Sequence, residues 1–172
     1  SWQGFTAFGP VDMGMVDFRG DEAPEAIIRL AYGMELGLGE FYRTMAERMQ
    51  EPDVTDAFKR LADIEEKHKE KLFKLYISLD PEAGDRSTFE AGMPSDRIEG
   101  GFTTDEFIER NSPALGTAAD VLNLAMMLET QSLDLYIRYS EQAKDDMGKG
   151  ILRDLADEEK EHLAYLGDLR ET

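Results

Sequence analysis

The chain has 172 residues, 41% of them hydrophobic and 33% charged, which suits one domain around a single core and excludes a disordered chain. Its formal net charge of −18, from 37 acidic against 19 basic residues, argues against nucleic acid and anionic membranes, both of which would repel such a surface. Cysteine is absent, so disulfides, iron–sulfur clusters and thiolate-bound iron are excluded from these residues. No apolar run approaches the roughly 20 residues a bilayer span needs, and nothing at the start reads as a signal peptide. A cytoplasmic protein without a membrane partner is expected.

The first residue is Ser1 rather than Met, which predicts a chain cut from a longer one. Residues 1–20 are rich in Gly and aromatics with no sustained helical period, and are expected to be an extended segment or linker. Helical patterning begins near Pro24, a residue favoured in a first turn, and runs to about Met49. After Pro52 a second helix is expected from about Asp53 to Leu79, stopped by Asp80-Pro81 because a residue before proline is pushed out of the helical region. Residues 81–116 are irregular, with Pro94, Gly100, Gly101 and Pro113 as breakers and a short helix around Thr104–Arg110. Thr117 is placed to cap a third long helix reaching about Lys144, and a fourth is expected from about Met147 to Arg170. No segment alternates as a strand would. The expected fold is therefore all-α: a four-helix bundle over residues 21–172, made of two antiparallel pairs joined by a long crossover, the connectivity of ferritin-like proteins.

The two halves repeat. Leu61-Ala62-Asp63-Ile64-Glu65-Glu66-Lys67-His68 returns as Leu155-Ala156-Asp157-Glu158-Glu159-Lys160-Glu161-His162, an offset of 94 residues (162 − 68). Glu35 and Glu129 share that offset (129 − 35), as do Tyr42 with Tyr136 and Ala31 with Ala125. The chain has only 2 histidines, and both lie in the repeat three residues after a glutamate.

Glu and His at i and i+3 project about 60° apart on one helix face, so a carboxylate and an imidazole can reach the same ion. Two such helices, with two more that each bear one inward glutamate, form the arrangement of di-iron and di-manganese carboxylate bundles. Glu35, Glu65, His68, Glu129, Glu159 and His162 are accordingly the expected metal ligands. Four carboxylates balance two divalent ions, and a bridging oxide would balance a di-ferric pair, so the centre could change oxidation state without burying a large net charge. A lone Glu-x-x-His on a charged helix is most often a solvated face; two of them sharing an offset with two further Glu and two Tyr are not. The same ligands accept Fe, Mn or Zn, and two Fe ions are expected.

Tyr42 and Tyr136 follow their glutamates by seven residues (42 − 35 and 136 − 129), two helical turns. Each is either a phenol that orients a site carboxylate or lends an electron, or an aromatic core residue with a satisfied hydroxyl. Asp63, Glu66, Glu158 and Glu161 are read as surface charge, and Met126 and Met127 as core filler. Gly33, Gly37 and Gly39 in the first helix suggest close helix approach or an access channel.

At these residues the chain resembles the rubrerythrin branch of the ferritin-like superfamily: Glu35 followed by Phe41-Tyr42, Glu65-x-x-His68, Glu129 followed by Leu135-Tyr136, and Glu159-x-x-His162. The resemblance implies that Glu65 and Glu159 bridge the ions, with Glu35 and His68 completing one and Glu129 and His162 the other. It also implies peroxidase chemistry, the reduction of hydrogen peroxide with electrons from an external donor such as rubredoxin, as part of a response to oxidative stress. Related ferritin-like proteins oxidise Fe²⁺ with dioxygen. Two departures stand out. Ser132 occupies the place of an extra carboxylate one turn after Glu129, which brings the ligand set closer to that of bacterioferritin, and no rubredoxin-type cysteines are present. Trp2-Gln3-Gly4 resembles the junction in fusions of a rhodanese-type sulfurtransferase to a rubrerythrin-like domain, though an ordinary N-terminal arm fits the same residues. The expected activity is a di-iron peroxidase, with a homodimer as the expected assembly; the rivals are a ferroxidase or iron-storage protein, and a bundle that its metal merely stabilises.

Overall fold

Proline opens two of the four long helices. A computed structural model describes residues 23–93, 104–144 and 146–171; the expected N-terminal segment and the breakers Pro94, Gly100 and Gly101 lie outside them. Helix α1 spans Pro24–Arg48 and α2 spans Pro52–Leu79, each with its proline in the first turn, where the missing N–H has no intrahelical partner to lose. Pro52 is thus the first residue of α2 rather than a break before it. Asp80 leaves the helical region at φ −131°, ψ 85°, ahead of Pro81.

The crossover carries one helix that the sequence pattern did not suggest. Helix α3, Arg86–Ala91, is capped by Asp85, whose side chain accepts from the Thr88 backbone N–H at 2.8 Å. Helix α4 covers Thr104–Asn111 and runs on into a 3₁₀ turn, Ser112–Ala114. Helix α5, Ala118–Gln142, starts in a capping box: the Asp120 N–H donates to Thr117 Oγ1 (3.2 Å), and the Thr117 N–H donates to Asp120 Oδ2 (2.9 Å). Helix α6 spans Asp146–Glu171.

Helices α1 and α2 form one antiparallel pair, α5 and α6 the other, and the long crossover joins them; there is no strand among the described residues. Two apolar clusters fill the bundle. One holds Tyr42, Phe58, Leu61, Val121, Leu128 and Leu166; the other holds Tyr32, Leu72, Tyr76, Tyr136, Leu152 and Leu155. On every long helix the expected metal-binding residues fall between the two clusters, as Glu35 does between Tyr32 and Leu38 on α1. The result is one polar layer at mid-bundle, sealed by hydrocarbon above and below. No helix among the described residues is long and apolar enough to cross a membrane.

Candidate metal centre

The bundle brings all six expected residues into that layer. Glu35, Glu65, His68, Glu129 and Glu159 are fully buried, and His162 is 6% exposed. One glutamate comes from each of α1 and α5, and an i, i+3 Glu/His pair from each of α2 and α6. Their ligand atoms form two groups, each within 4.8 Å: Glu35, Glu65, His68 and Glu159 in one, Glu65, Glu129 and His162 in the other.

The two groups mirror each other. His68 Nδ1 faces Glu35 Oε2 at 3.2 Å, and His162 Nδ1 faces Glu129 Oε2 at 3.4 Å. Between them, Glu65 turns Oε2 toward His68 Nδ1 (3.1 Å) and Oε1 toward His162 Nδ1 (3.8 Å). Glu159 does likewise, with Oε1 at 3.4 Å from His68 Nδ1 and Oε2 at 3.1 Å from His162 Nδ1. The imidazoles stack with centroids 5.4 Å apart and planes 15° from parallel. Two central carboxylates thus each present one oxygen to each half, and two outer carboxylates serve one half apiece.

Four buried carboxylates this close are costly without a cation. Both oxygens of Glu65, with Oε1 of Glu35 and Oε1 of Glu159, accept no hydrogen bond among the described residues, a deficit that a metal ion would remove. Burial, joined for Glu65 by repulsion from Glu35, pushes the carboxyls of Glu35 and Glu65 above the usual range. Burial and Glu159 push Glu129 up to about 8. Burial alone would raise Glu159 too, but its close contacts with Glu129, His162 and His68 hold it low. Burial disfavours imidazolium, yet the surrounding carboxylates outweigh it, raising His68 strongly and His162 to about 11. Without metal, the cluster holds protons where cations would sit. The donor set of hard carboxylate oxygens and imidazole nitrogens fits divalent first-row metals.

Neighbouring side chains break the mirror. The Tyr42 hydroxyl, fully buried, donates to Glu129 Oε1 across the α1–α5 contact. Its repeat partner Tyr136 is equally buried, but its hydroxyl has no hydrogen-bond partner among the described residues. Ser132 is buried in the same way. Glu158, expected to be surface charge, is half-buried and accepts from His68 Nε2 at 2.9 Å, while Lys71 donates to its other oxygen. Adjacency to Glu159 was the available signal, but only the packing of α6 on α2 shows that residue 158 reaches the opposite histidine. Glu66 likewise pairs with Lys69 (2.7 Å) and with Arg86 of α3 (2.5 Å), tying the crossover to the helix that carries Glu65. At Gly39 an added Cβ would lie 3.5 Å from Cβ of Glu65, ordinary contact, so α1 and α2 do approach closely beside the centre.

The rubrerythrin family model matches residues 26–105, which takes in Glu35, Tyr42, Glu65 and His68. A solved structure, a hypothetical protein from Pyrococcus furiosus, matches with TM-score 0.69 and 26% identity over 91% of this chain and 93% of that one. This chain carries a rubrerythrin-like domain of the ferritin superfamily. The second half of the rubrerythrin-like centre lies outside the family match and rests on the structural likeness and the 94-residue repeat (162 − 68). No curated protein matches the chain at a significant level.

Proposed function

We propose that this chain is a non-haem di-iron oxidoreductase that reduces hydrogen peroxide to water with electrons from an external donor such as rubredoxin. The observation that carries the reading is the pair of buried Glu/His groups sharing Glu65, set in a rubrerythrin-like, di-iron-type domain. In this reading Glu65 and Glu159 would serve both ions, Glu35 and His68 would hold one, and Glu129 and His162 would hold the other. A ferrous pair, when bound, supplies the two electrons that peroxide takes up.

The remaining work falls to the chain itself. The two apolar clusters keep bulk water from the layer, which strengthens every charge interaction within it. Tyr42 holds a proton at its hydroxyl against Glu129 Oε1 and fixes that carboxylate's orientation. Glu158, with a side chain 37% exposed, joins the buried His68 ring to the surface, beside a chemistry that consumes two protons per peroxide. With no cysteine on the chain, electrons must come from elsewhere.

Anaerobic titration of metal-free protein should saturate at two Fe²⁺ per chain, and stopped-flow oxidation of the loaded protein by H₂O₂ should outrun oxidation by O₂. A clearly faster reaction with O₂ would replace this reading with an iron-oxidising one. What favours that alternative is the buried Ser132, which leaves Glu129 without the extra carboxylate that distinguishes rubrerythrins.

A further inference from the structure

We propose that the two halves of the centre bind metal unequally, the half built on Glu35 and His68 filling before the half built on Glu129 and His162. The proposal rests on the di-metal reading above and deepens it.

The repeat gives the halves the same ligand types, yet four ligand atoms converge at the Glu35–His68 half and three at the other, and what stands behind the ligands separates the halves further. Behind His68 is Glu158, 2.9 Å from Nε2 and held from its far side by Lys71. A carboxylate there keeps the proton on Nε2, turns the Nδ1 lone pair toward the centre and makes the ring a stronger donor; losing such a partner typically costs about 10–100-fold in metal affinity. The repeat-equivalent of Glu158 is residue 64 (158 − 94), which is Ile64, a partly buried hydrocarbon packed against the core. An isoleucine accepts no hydrogen bond, and no bond to His162 Nε2 is found among the described residues.

The outer carboxylates differ in the same sense. Glu129 has Oε1 committed to the Tyr42 hydroxyl, which draws charge from it. Glu35 has Oε1 accepting no hydrogen bond, because Tyr136 does not reach it. The Glu35–His68 half therefore has the better imidazole donor and one outer carboxylate oxygen, Glu35 Oε1, that accepts no hydrogen bond. In the Glu129–His162 half the imidazole lacks a carboxylate behind it, and both Glu129 oxygens are engaged, Oε1 by Tyr42 and Oε2 by His162.

Co²⁺ titration of the metal-free chain against a competing chelator, followed by the visible bands of the bound ion, tests this directly. Two binding steps separated by about 10-fold or more are expected. His162→Ala should keep the tighter step and lose the weaker, whereas His68→Ala should lose the tighter. Glu158→Ile, which copies the other half, should weaken the tighter step until the two merge, with the weaker step unmoved and the helical circular dichroism intact. Glu158→Gln, which keeps an acceptor without the charge, should fall between. A single affinity for both ions in the wild-type chain overturns the proposal, as does a tight step that survives His68→Ala. Should Glu158→Ile not fold, Glu158→Gln decides: a tighter step no weaker than wild type overturns it. A wild-type chain that binds no Co²⁺ defeats the di-metal reading itself, and that outcome is distinct from two ions bound equally.

Discussion

Tyr42 of α1 and Glu129 of α5 are joined by a buried hydrogen bond between helices of different pairs. Tyr42→Phe removes the donor and leaves Glu129 Oε1 buried without a partner, a loss of about 1–3 kcal/mol. Urea unfolding of the metal-free protein should show the midpoint falling with an unchanged slope.

Tyr136→Phe should behave differently. The Tyr136 hydroxyl is buried without a partner among the described residues, so its removal is expected to be neutral or mildly stabilising in the same urea experiment. A loss equal to that of Tyr42→Phe would show that the two tyrosines play matching parts after all.

The metal-free protein should lose stability as pH rises. Glu35, Glu65 and Glu129 have folded pKa values above their unfolded ones, as do both histidines. Each such group's contribution is complete below its unfolded value and is lost as pH rises through the folded one. For Glu129 that window runs from 4.5 to about 8. Glu159, like Glu66 and Glu158, is held low and works the other way, but those contributions are lost only as pH falls below the ordinary carboxylate range, outside this window. Metal binding needs the deprotonated ligands, so it strengthens over the same range. Thermal melts with and without Mn²⁺ should therefore diverge between pH 5 and 8, the metal-free Tm falling and the shift on adding Mn²⁺ growing. A metal-free Tm that climbs steadily across this range would contradict the arrangement.

Gly150 lies within α6, and a Cβ added there meets nothing within 4 Å. Gly150→Ala should raise stability by about 0.5–1 kcal/mol through helix propensity alone. Differential scanning calorimetry should register this as a Tm increase of about 2–4 °C.

Arg86 holds α3 to the bundle, donating to the Tyr32 hydroxyl at 2.7 Å and pairing with Glu66 and Glu90. Arg86→Ala should cost about 1–2 kcal/mol. Hydrogen exchange should quicken first in Arg86–Ala91, before α1 or α2.

The gathering of the six residues was legible because helices are periodic. A Glu and a His at i, i+3 share one helix face, and a two-fold repeat places a second such pair, and a second lone Glu, at one offset. The long helices were legible for the same local reason: Pro24, Pro52, Asp80-Pro81 and Thr117 mark ends by constraints that act within a turn. Helix α3 was missed because six residues carry too little periodicity to stand out; its only sequence signal is the cap at Asp85.

By itself, then, the sequence determined which residues would gather and that they would gather in two equivalent sets, since both follow from spacing along single helices. Only the tertiary structure decided what stands behind each set. The repeat pairs Tyr42 with Tyr136 and leaves each either a carboxylate partner or a core aromatic, and of the two Tyr42 reaches a carboxylate; Glu158 read as surface charge, yet it crosses to His68. Those contacts depend on how far one helix pair is turned and shifted against the other, a displacement of an ångström or two that separates a hydrogen bond from none. No pattern along a single chain segment records it.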